Sequence, residues 1–222
     1  MEFSHLVLLS DLEPVALGGR RAVYVFPDKP DWLTKVAIPD RTPQAQSIHR
    51  SLLSRFFPDL VYKPILREIE SELKTALKIG LAISESPMAR CMGIVQTDSG
   101  PGVVIEKTSG KDSDVAPILL SMSKAGQLTK PIIDELNEFS EKLFKLQVVT
   151  SDINLGNIVY GQRDGTQAFF LVDGFWERNF IPVRSLFYSV NVYQLKKRLQ
   201  KTAFKTGLRW DNKTAKFHLP PD

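Results

Sequence analysis

The residues whose types and spacing allow chemistry lie in the second half of the chain. Asp152 precedes Asn157 by five positions, and Asp173 follows a second apolar run. The segments on either side of residues 161–167 are rich in Val, Ile, Tyr and Phe, which favours two strands joined by a polar turn. An antiparallel hairpin centred near Gly165 would place Asn157 and Asp173, each eight positions from the centre, side by side.

Three oxygen-bearing side chains at one end of such a hairpin have a definite chemistry. The amide of Asn157 and the carboxylate of Asp173 are hard oxygen ligands that suit Mg²⁺. The carboxylate of Asp152 can accept a proton. Phosphoryl transfer needs this combination of metal ligands and base. The alternative is ordinary loop chemistry, because Asp and Asn also bond to nearby backbone in loops. The strand, turn and strand that follow Asp152 favour the phosphoryl-transfer interpretation.

Composition limits the class of protein. A chain of 222 residues, 43% hydrophobic and 24% charged, fits one large soluble domain or two small lobes. The single Cys91 excludes an internal disulfide framework and fits a reducing compartment. The histidines are scattered, and no apolar stretch is long enough to be a transmembrane segment or a secretory signal peptide. We therefore expect a cytoplasmic protein, with secretion by a signal of another kind left open.

The formal charge is distributed unevenly. The chain carries +4, but ten Lys and Arg against two acids from Arg178 onwards give this region +8 and the preceding residues −4. A basic C-terminal region fits an acidic partner, nucleic acid or an anionic membrane. The alternative is a solvated helix face. No nucleic-acid motif with interleaved aromatic residues accompanies the charge.

The first half of the chain predicts strands that carry a glycine pair and a lysine. Residues 13–26 are typical of two strands joined at Gly18 and Gly19, and residues 32–38 of a third strand. The glycines would let backbone N–H groups approach phosphates, although a Gly-Gly hairpin turn is common without any ligand. Lys35 lies in an otherwise apolar strand, so its ammonium needs a partner or a ligand. The alternative is an edge strand with the charge in solvent.

Residues 65–79 predict an amphipathic helix. Its apolar residues recur at spacings of three and four: Leu66, Ile69, Leu73, Ala76 and Leu77. Glu70 and Glu72 flank this apolar face on opposite sides, whereas Glu68 points further away. Either flanking carboxylate can reach Lys35, and the alternative is that all three form a solvated acidic face.

The remaining segments complete the predicted order. Residues 88–97 and 102–108 are typical of two further strands, and 109–114 of a polar linker. Mostly helical sequence follows, at about 115–125, 130–146 and 183–204, and residues 209–222 are expected to be loosely ordered. The change in composition at the linker predicts two lobes, residues 1–108 and 109–222.

This order resembles the protein-kinase-like fold, and more narrowly the small bacterial PhoP-regulatory-network (YrbL-type) proteins. The similarity covers residues 17–182. The segments that carry it are residues 17–21 with Tyr24, then Lys35, residues 67–73, residues 97–102, residues 148–150, residues 172–173 and residues 181–182. The resemblance implies an α+β, bilobal fold with a five-stranded antiparallel N-lobe and a minimal, mostly helical C-lobe.

The resemblance also implies roles in the binding of ATP and Mg²⁺. Lys35 would contact the nucleotide phosphates, held by a helix carboxylate for which Glu72 is the best match. Asp152 would be the catalytic base, and Asn157 and Asp173 would hold Mg²⁺.

Further nucleotide contacts are implied along the first lobe. Gly18 and Gly19 would lie over the phosphates. The backbone between Glu106 and Thr108 would form the hinge that binds adenine.

Departures from the kinase pattern leave three functions open. Thr150 and Ser151 replace the usual His-Arg before Asp152, Asn154 stands where many kinases have Lys, and Gly174 follows Asp173 directly. We expect no regulation through an activation loop, since that segment is missing. Transfer to a protein hydroxyl is preferred because only 49 residues follow Asp173 and leave little room for an enclosed acceptor pocket.

Two alternatives remain. The Gly156-Asn157 pair resembles the loop of small-molecule phosphotransferases, which indicates a kinase for a sugar, an aminoglycoside or a lipid headgroup. The altered residues before Asp152 and the irregular glycine loop instead indicate a non-catalytic binding module of kinase shape.

Overall fold

The chain divides into two compact units. The computed structural model describes residues 6–18, 21–38, 85–110, 115–150, 153–173 and 188–220, with Leu66, Ile69, Glu70, Leu73, Ala76, Leu77 and Gly80. The first unit comprises Met1–Glu70 and Arg90–Lys107, and the second Ser71–Ala89 and Thr108–Asp222. The boundary after Lys107 lies one residue before the predicted one, whereas residues 71–89 group with the second unit rather than the first.

The first unit is built on a five-stranded antiparallel sheet. Its strands are β1 (Ala16–Leu17), β2 (Arg21–Phe26), β3 (Lys29–Ala37), β4 (Cys91–Thr97) and β5 (Gly100–Glu106). They lie in the order β1-β2-β3-β5-β4, which confirms the predicted α+β class with its antiparallel sheet. Beyond the sheet, the described residues between Leu66 and Leu77 are helical, and Ile69 packs on a cluster that includes Leu33 and Ile105.

The turn between β2 and β3 is tighter than predicted. Phe26 pairs with Lys29, so only Pro27 and Asp28 form the turn between β2 and β3, where residues 27–31 were expected. Asp28 adopts a φ of 63°, which an aspartate tolerates because its short side chain can bond locally. The strand that carries Lys35 therefore begins three residues earlier than the predicted residue 32.

An N-terminal segment that no sequence pattern predicted joins the edge of this sheet. Val7 forms a parallel bridge with Thr97 on β4. The carboxylate of Asp98 accepts hydrogen bonds from the N–H of Leu9 at 2.9 Å and of Ser10 at 3.0 Å. Leu9 is fully buried against Ala22 and Val36. The segment is thus an integral part of the first unit.

The second unit packs three described helices around two hairpins. The helices are α1 (Leu119–Lys124), α2 (Lys130–Lys145) and α3 (Tyr188–Thr206); the strands are β6 (Ile158–Arg163), β7 (Thr166–Leu171), β8 (Arg209–Asp211) and β9 (Lys216–His218). Apolar faces of the helices meet the inner face of β6–β7 in one core, which contains Ile133, Phe139, Phe169, Leu195 and Leu199. No helix in the described part of the chain is long and apolar enough to cross a membrane.

The expectation that residues 209–222 are loosely ordered is wrong for the described part, because residues 209–218 contain the β8–β9 hairpin. Phe217 is buried in the core, and its backbone pairs with a side chain as it would with another strand. Its N–H donates to Asn137 Oδ1 at 2.7 Å, and its C=O accepts from Asn137 Nδ2 at 3.1 Å. A buried amide on α2 therefore holds the hairpin in place.

Candidate functional site

The β6–β7 hairpin places two of the predicted site residues at its open end. Arg163 pairs with Thr166, so the turn consists of Asp164 and Gly165, both with positive φ. The hairpin is confirmed, but its centre lies half a residue before Gly165. Asn157 therefore lies opposite Val172, whose N–H donates to the Asn157 C=O at 2.9 Å, and Asp173 is the next residue along. Both candidate Mg²⁺ ligands lie at the open end of the hairpin and are half-buried.

Asn154 shapes the backbone that leads into this end of the hairpin. Its Oδ1 accepts the N–H of Gly156 at 2.8 Å and of Asn157 at 3.1 Å, while its C=O also accepts the Asn157 N–H at 3.0 Å. This is an Asx turn, in which a side chain replaces a backbone acceptor. From the sequence, Asn154 was noted only because many kinases have a lysine at this position. An Asn two residues before a Gly is nevertheless a recognisable turn signal. Asn154 is a positioning residue for Asn157.

The segment that carries the candidate base is held at both ends. Asn191, buried on α3, donates from Nδ2 to the C=O of Val148 at 3.2 Å. The N–H of Leu120 on α1 donates to the C=O of Leu155 at 3.1 Å. Asp152 itself lies outside the described residues, so its role as the base stays a prediction.

Lys35 lies in the interior of the first unit's sheet. Its strand, β3, runs between β2 and β5, where Lys35 pairs with Val23 and Val103. The residue is only 5% exposed. The alternative of an edge strand with the ammonium in solvent is therefore wrong, and a lysine this deeply buried needs polar or charged surroundings. Glu72 lies outside the described residues, so the partner assignment stays a prediction.

Of the other candidate partners of Lys35, Glu68 and Glu70, and of the glycine pair Gly18 and Gly19, the structure describes one residue each. Glu70 is exposed on the helix, and Glu68 and Gly19 lie outside the described residues. The N–H of Gly18 donates to the C=O of Arg21 at 2.8 Å, which closes the turn between β1 and β2. A Cβ at Gly18 would meet only this carbonyl oxygen, at 3.5 Å. The fold itself thus does not require glycine there.

The predicted adenine hinge already uses several of its backbone groups within the protein. The N–H of Glu106 donates to the C=O of Arg90 at 2.9 Å, and that of Lys107 to the C=O of Asp31 at 2.8 Å. The C=O of Thr108 accepts the N–H of Ala116 at 3.2 Å. An adenine bound here would have to contact the remaining backbone groups of residues 106–108.

The donor set at the hairpin fits Mg²⁺. Asn157 and Asp173 offer an amide and a carboxylate oxygen, and Mg²⁺ in nucleotide sites usually takes only one or two protein ligands, with water and phosphate oxygens completing its shell. Clusters of three or more His, Cys, Asp or Glu that would form a fully protein-enclosed metal site are absent from the described residues. Asn157 and Asp173 would thus supply two protein oxygen ligands to such an ion.

Comparison with known proteins identifies the family. The crystal structures of two variants of the Mycobacterium tuberculosis PknI kinase domain, one a double and one a single mutant, are similar to 86% of this chain. The matches cover 71% and 73% of those chains, each at 13% identity and a TM-score of 0.45. The family model of the PhoP regulatory network protein YrbL matches residues 7–207.

The chain therefore belongs to the YrbL family, and the predicted membership is confirmed. No curated protein matches the chain.

Proposed function

We propose that the protein is a Mg²⁺- and ATP-dependent phosphotransferase that acts on a protein hydroxyl. The observation that supports this most directly is the open end of the β6–β7 hairpin, where Asn157 follows the Asx turn of Asn154 and lies opposite Val172, the residue before Asp173. Lys35 in the first unit is buried, and a lysine is a cation of the kind that binds nucleotide phosphates.

Each residue then has a defined task. ATP would supply the γ-phosphoryl group, and a bound Mg²⁺ would supply positive charge for its oxygens. Asn157 and Asp173 would hold the metal ion, and Lys35 would bind phosphate oxygens. Asp152 orients the acceptor hydroxyl and takes its proton as the oxygen–phosphorus bond forms, while ADP departs with the electrons of the broken bond.

The test makes the same change, Asp to Asn, at one position near each end of the β6–β7 hairpin. Purified protein is incubated with labelled ATP and Mg²⁺, alone and with a cell lysate, and labelled protein is measured. Asp173→Asn should reduce transfer at least about a hundredfold, because it removes a metal-ligand charge at the reacting phosphate. Asp164→Asn, in the turn at the other end, should leave transfer within about twofold.

Asp152→Ala tests the base separately. If this variant and Asp173→Asn transfer phosphate as fast as the unchanged protein, the assignment fails. If no protein becomes labelled but a panel of sugars and aminoglycosides stimulates ATP turnover, the acceptor is a small molecule and the protein-hydroxyl part of the proposal is wrong.

Binding without turnover would indicate a non-catalytic module. Mg²⁺ and ATP at a hundred times the dissociation constant should stabilise the protein by about 2.7 kcal/mol. Such stabilisation without phosphate transfer to any acceptor would contradict the enzymatic proposal.

A further inference from the structure

The outward face of α3 combines exposed aromatic rings with lysines and contains no carboxylate. The opposite side of this helix places Leu195, Leu199 and Ala203 in the core of the second unit. On the outward face, Phe204 is 86% exposed and Tyr193 is 63% exposed. Neither Asp nor Glu occurs anywhere between Tyr188 and Thr206.

These side chains form an ordered pattern on the helix surface. Tyr193 and Phe204 are eleven residues apart, which is close to three full turns, so they lie on nearly the same line about 16 Å apart. Lys197, Lys201 and Lys205 fall progressively to one side of that line, at about 100° per residue. We call the line and its lysines the α3 face.

The lysines of the α3 face are available to a partner. Lys197, Lys201 and Lys205 are exposed, and none of them has an ion-pair partner among the residues that the structure describes. Lys196, which points elsewhere, instead donates to the C=O of Asn212 at 3.4 Å. Three exposed lysines on one side of a helix, with no described carboxylate paired to them, favour an anionic occupant.

The spacing of the aromatic rings distinguishes among anionic occupants. A protein partner needs a contiguous apolar centre, and two rings separated by about 16 Å of polar side chains do not form one. A single-stranded nucleic acid needs rings on which successive bases stack, and between Tyr193 and Phe204 this face has none. A bilayer surface can accept each ring separately at headgroup level, with the lysine ammonium groups on lipid phosphates.

We propose that the α3 face binds the surface of anionic phospholipid membranes, with Phe204 inserted among the headgroups and Lys197, Lys201 and Lys205 on the phosphates. The helix lies flat on the membrane and does not cross it. This inference does not depend on the proposed phosphotransfer, since it uses neither the hairpin end nor Lys35.

The first test is sedimentation of the full chain with vesicles at low salt. Vesicles that contain phosphatidylserine should bind the protein, pure phosphatidylcholine vesicles should bind it much more weakly, and added salt should release it. Lys201→Glu should weaken binding at least about fivefold, whereas Lys124→Glu, which reverses an exposed lysine on α1, should change it less than twofold.

The second test follows insertion of the ring at position 204. Phe204→Trp places an additional tryptophan at the inserted position. Brominated lipids should therefore quench more tryptophan fluorescence in this variant than in the unchanged protein. Phe204→Ala should weaken vesicle binding about tenfold, whereas Leu219→Ala, at another exposed apolar position, should not. Both changes lie on the surface, and circular dichroism checks that the variants remain folded.

The proposal is overturned if phosphatidylserine vesicles do not bind the protein, or if Lys201→Glu and Phe204→Ala bind them as well as the controls do. Binding to an RNA homopolymer but not to vesicles would also overturn it. Loss of vesicle binding in these variants with ATP transfer intact separates this inference from the proposed function.

Discussion

At the scale of single residues, the open end of the hairpin depends on a side chain that takes no direct part in chemistry. Asn154 accepts the N–H groups of Gly156 and Asn157, and it thereby fixes the backbone that carries the Asn157 side chain. Loss of this acceptor would leave Asn157 in the chain but less well oriented. In a catalytic site, a small displacement of a metal ligand lowers the reaction rate strongly, because the rate depends on how precisely the reacting groups are held.

Asn154→Ala should therefore lower phosphate transfer at least about tenfold, while it destabilises the fold by only about 1 kcal/mol. Asn154→Asp retains the accepting oxygen and should restore most of the activity, which distinguishes a positioning role from a purely structural one. The matched control is Asn212→Ala, because Asn212 Oδ1 accepts a hydrogen bond from Trp210 Nε1 at 2.9 Å in the other hairpin. Equal activity of both alanine variants would contradict the positioning role.

Two glycines differ in what the fold requires of them. A Cβ at Gly161 would lie 2.5 Å from the C=O oxygen of Ser109 and 2.7 Å from side-chain atoms of Thr108 and Ala116. Gly161 therefore allows the segment after the first unit to lie directly on β6. At Gly18 a Cβ has room.

Gly161→Ala should destabilise the protein by about 1–3 kcal/mol through overpacking, as measured by urea unfolding. Gly18→Ala should change the stability by less than about 0.5 kcal/mol, yet weaken ATP binding if backbone N–H groups at this turn approach phosphates. Unchanged ATP affinity of Gly18→Ala would remove Gly18 from the predicted nucleotide site.

At the scale of elements, a tyrosine joins the hairpin to α2. Tyr160 on β6 stacks on Phe169, with ring centroids 4.7 Å apart. Burial, followed by the hydrogen bond to Glu135 on α2, raises the pKa of Tyr160 to about 12. The pKa of the same phenol in an unfolded chain is about 10. The contribution of Tyr160 to stability is therefore complete below about pH 10 and is lost as the pH rises towards about 12.

Tyr160→Phe should destabilise the protein by about 1–2 kcal/mol at pH 7, because Glu135 loses a partly buried hydrogen bond. Tyr193→Phe, on the exposed face of α3, serves as the control and should be neutral. Urea midpoints measured from pH 9 to pH 12 should fall less steeply for Tyr160→Phe than for the unchanged protein. Parallel curves would show that Tyr160 does not titrate as expected.

At the scale of the whole molecule, long-range polar contacts attach the terminal segments to the two units. In the first unit, hydrogen bonds hold the pKa of the Asp98 carboxyl below its usual range. The largest effect comes from the N–H of Leu9, and smaller ones come from the hydroxyl and the N–H of Ser10. This contribution to stability is present above the unfolded value of about 3.9 and is lost as the pH falls through the lowered value.

Asp98→Asn should accelerate hydrogen exchange at the amides of Leu9 and Ser10 at neutral pH, because the neutral amide is a weaker acceptor than the carboxylate. Asp211→Asn is the control: its carboxylate is similarly bonded to Lys213 and Thr214, but in the second unit. If both variants leave exchange at Leu9 and Ser10 unchanged, the Asp98 contact does not hold the N-terminal segment.

Elements whose signals are local were predictable. The β6–β7 hairpin follows from its strand-forming residues and from Asp164-Gly165, since both turn positions need positive φ and these residues tolerate it. Counting along it placed Asn157 opposite Asp173, but the register differs by half a residue, and Val172 lies opposite Asn157. The helix over Lys130–Lys145 was predicted from the spacing of Ile133, Leu136, Phe139, Leu143 and Phe144, of which Phe144 is only half-buried.

The sequence by itself thus determined the strands of the first unit's sheet, the β6–β7 hairpin, the main helices, the candidate metal ligands and the family. The tertiary structure decided the β8–β9 hairpin, the N-terminal segment, the central position of Lys35's strand and the positioning role of Asn154 at the open end. Asn137 meets Phe217 across 80 residues, and Leu9 meets Asp98 across 89. Such pairings leave no periodic pattern, because only the packed chain brings the two partners together.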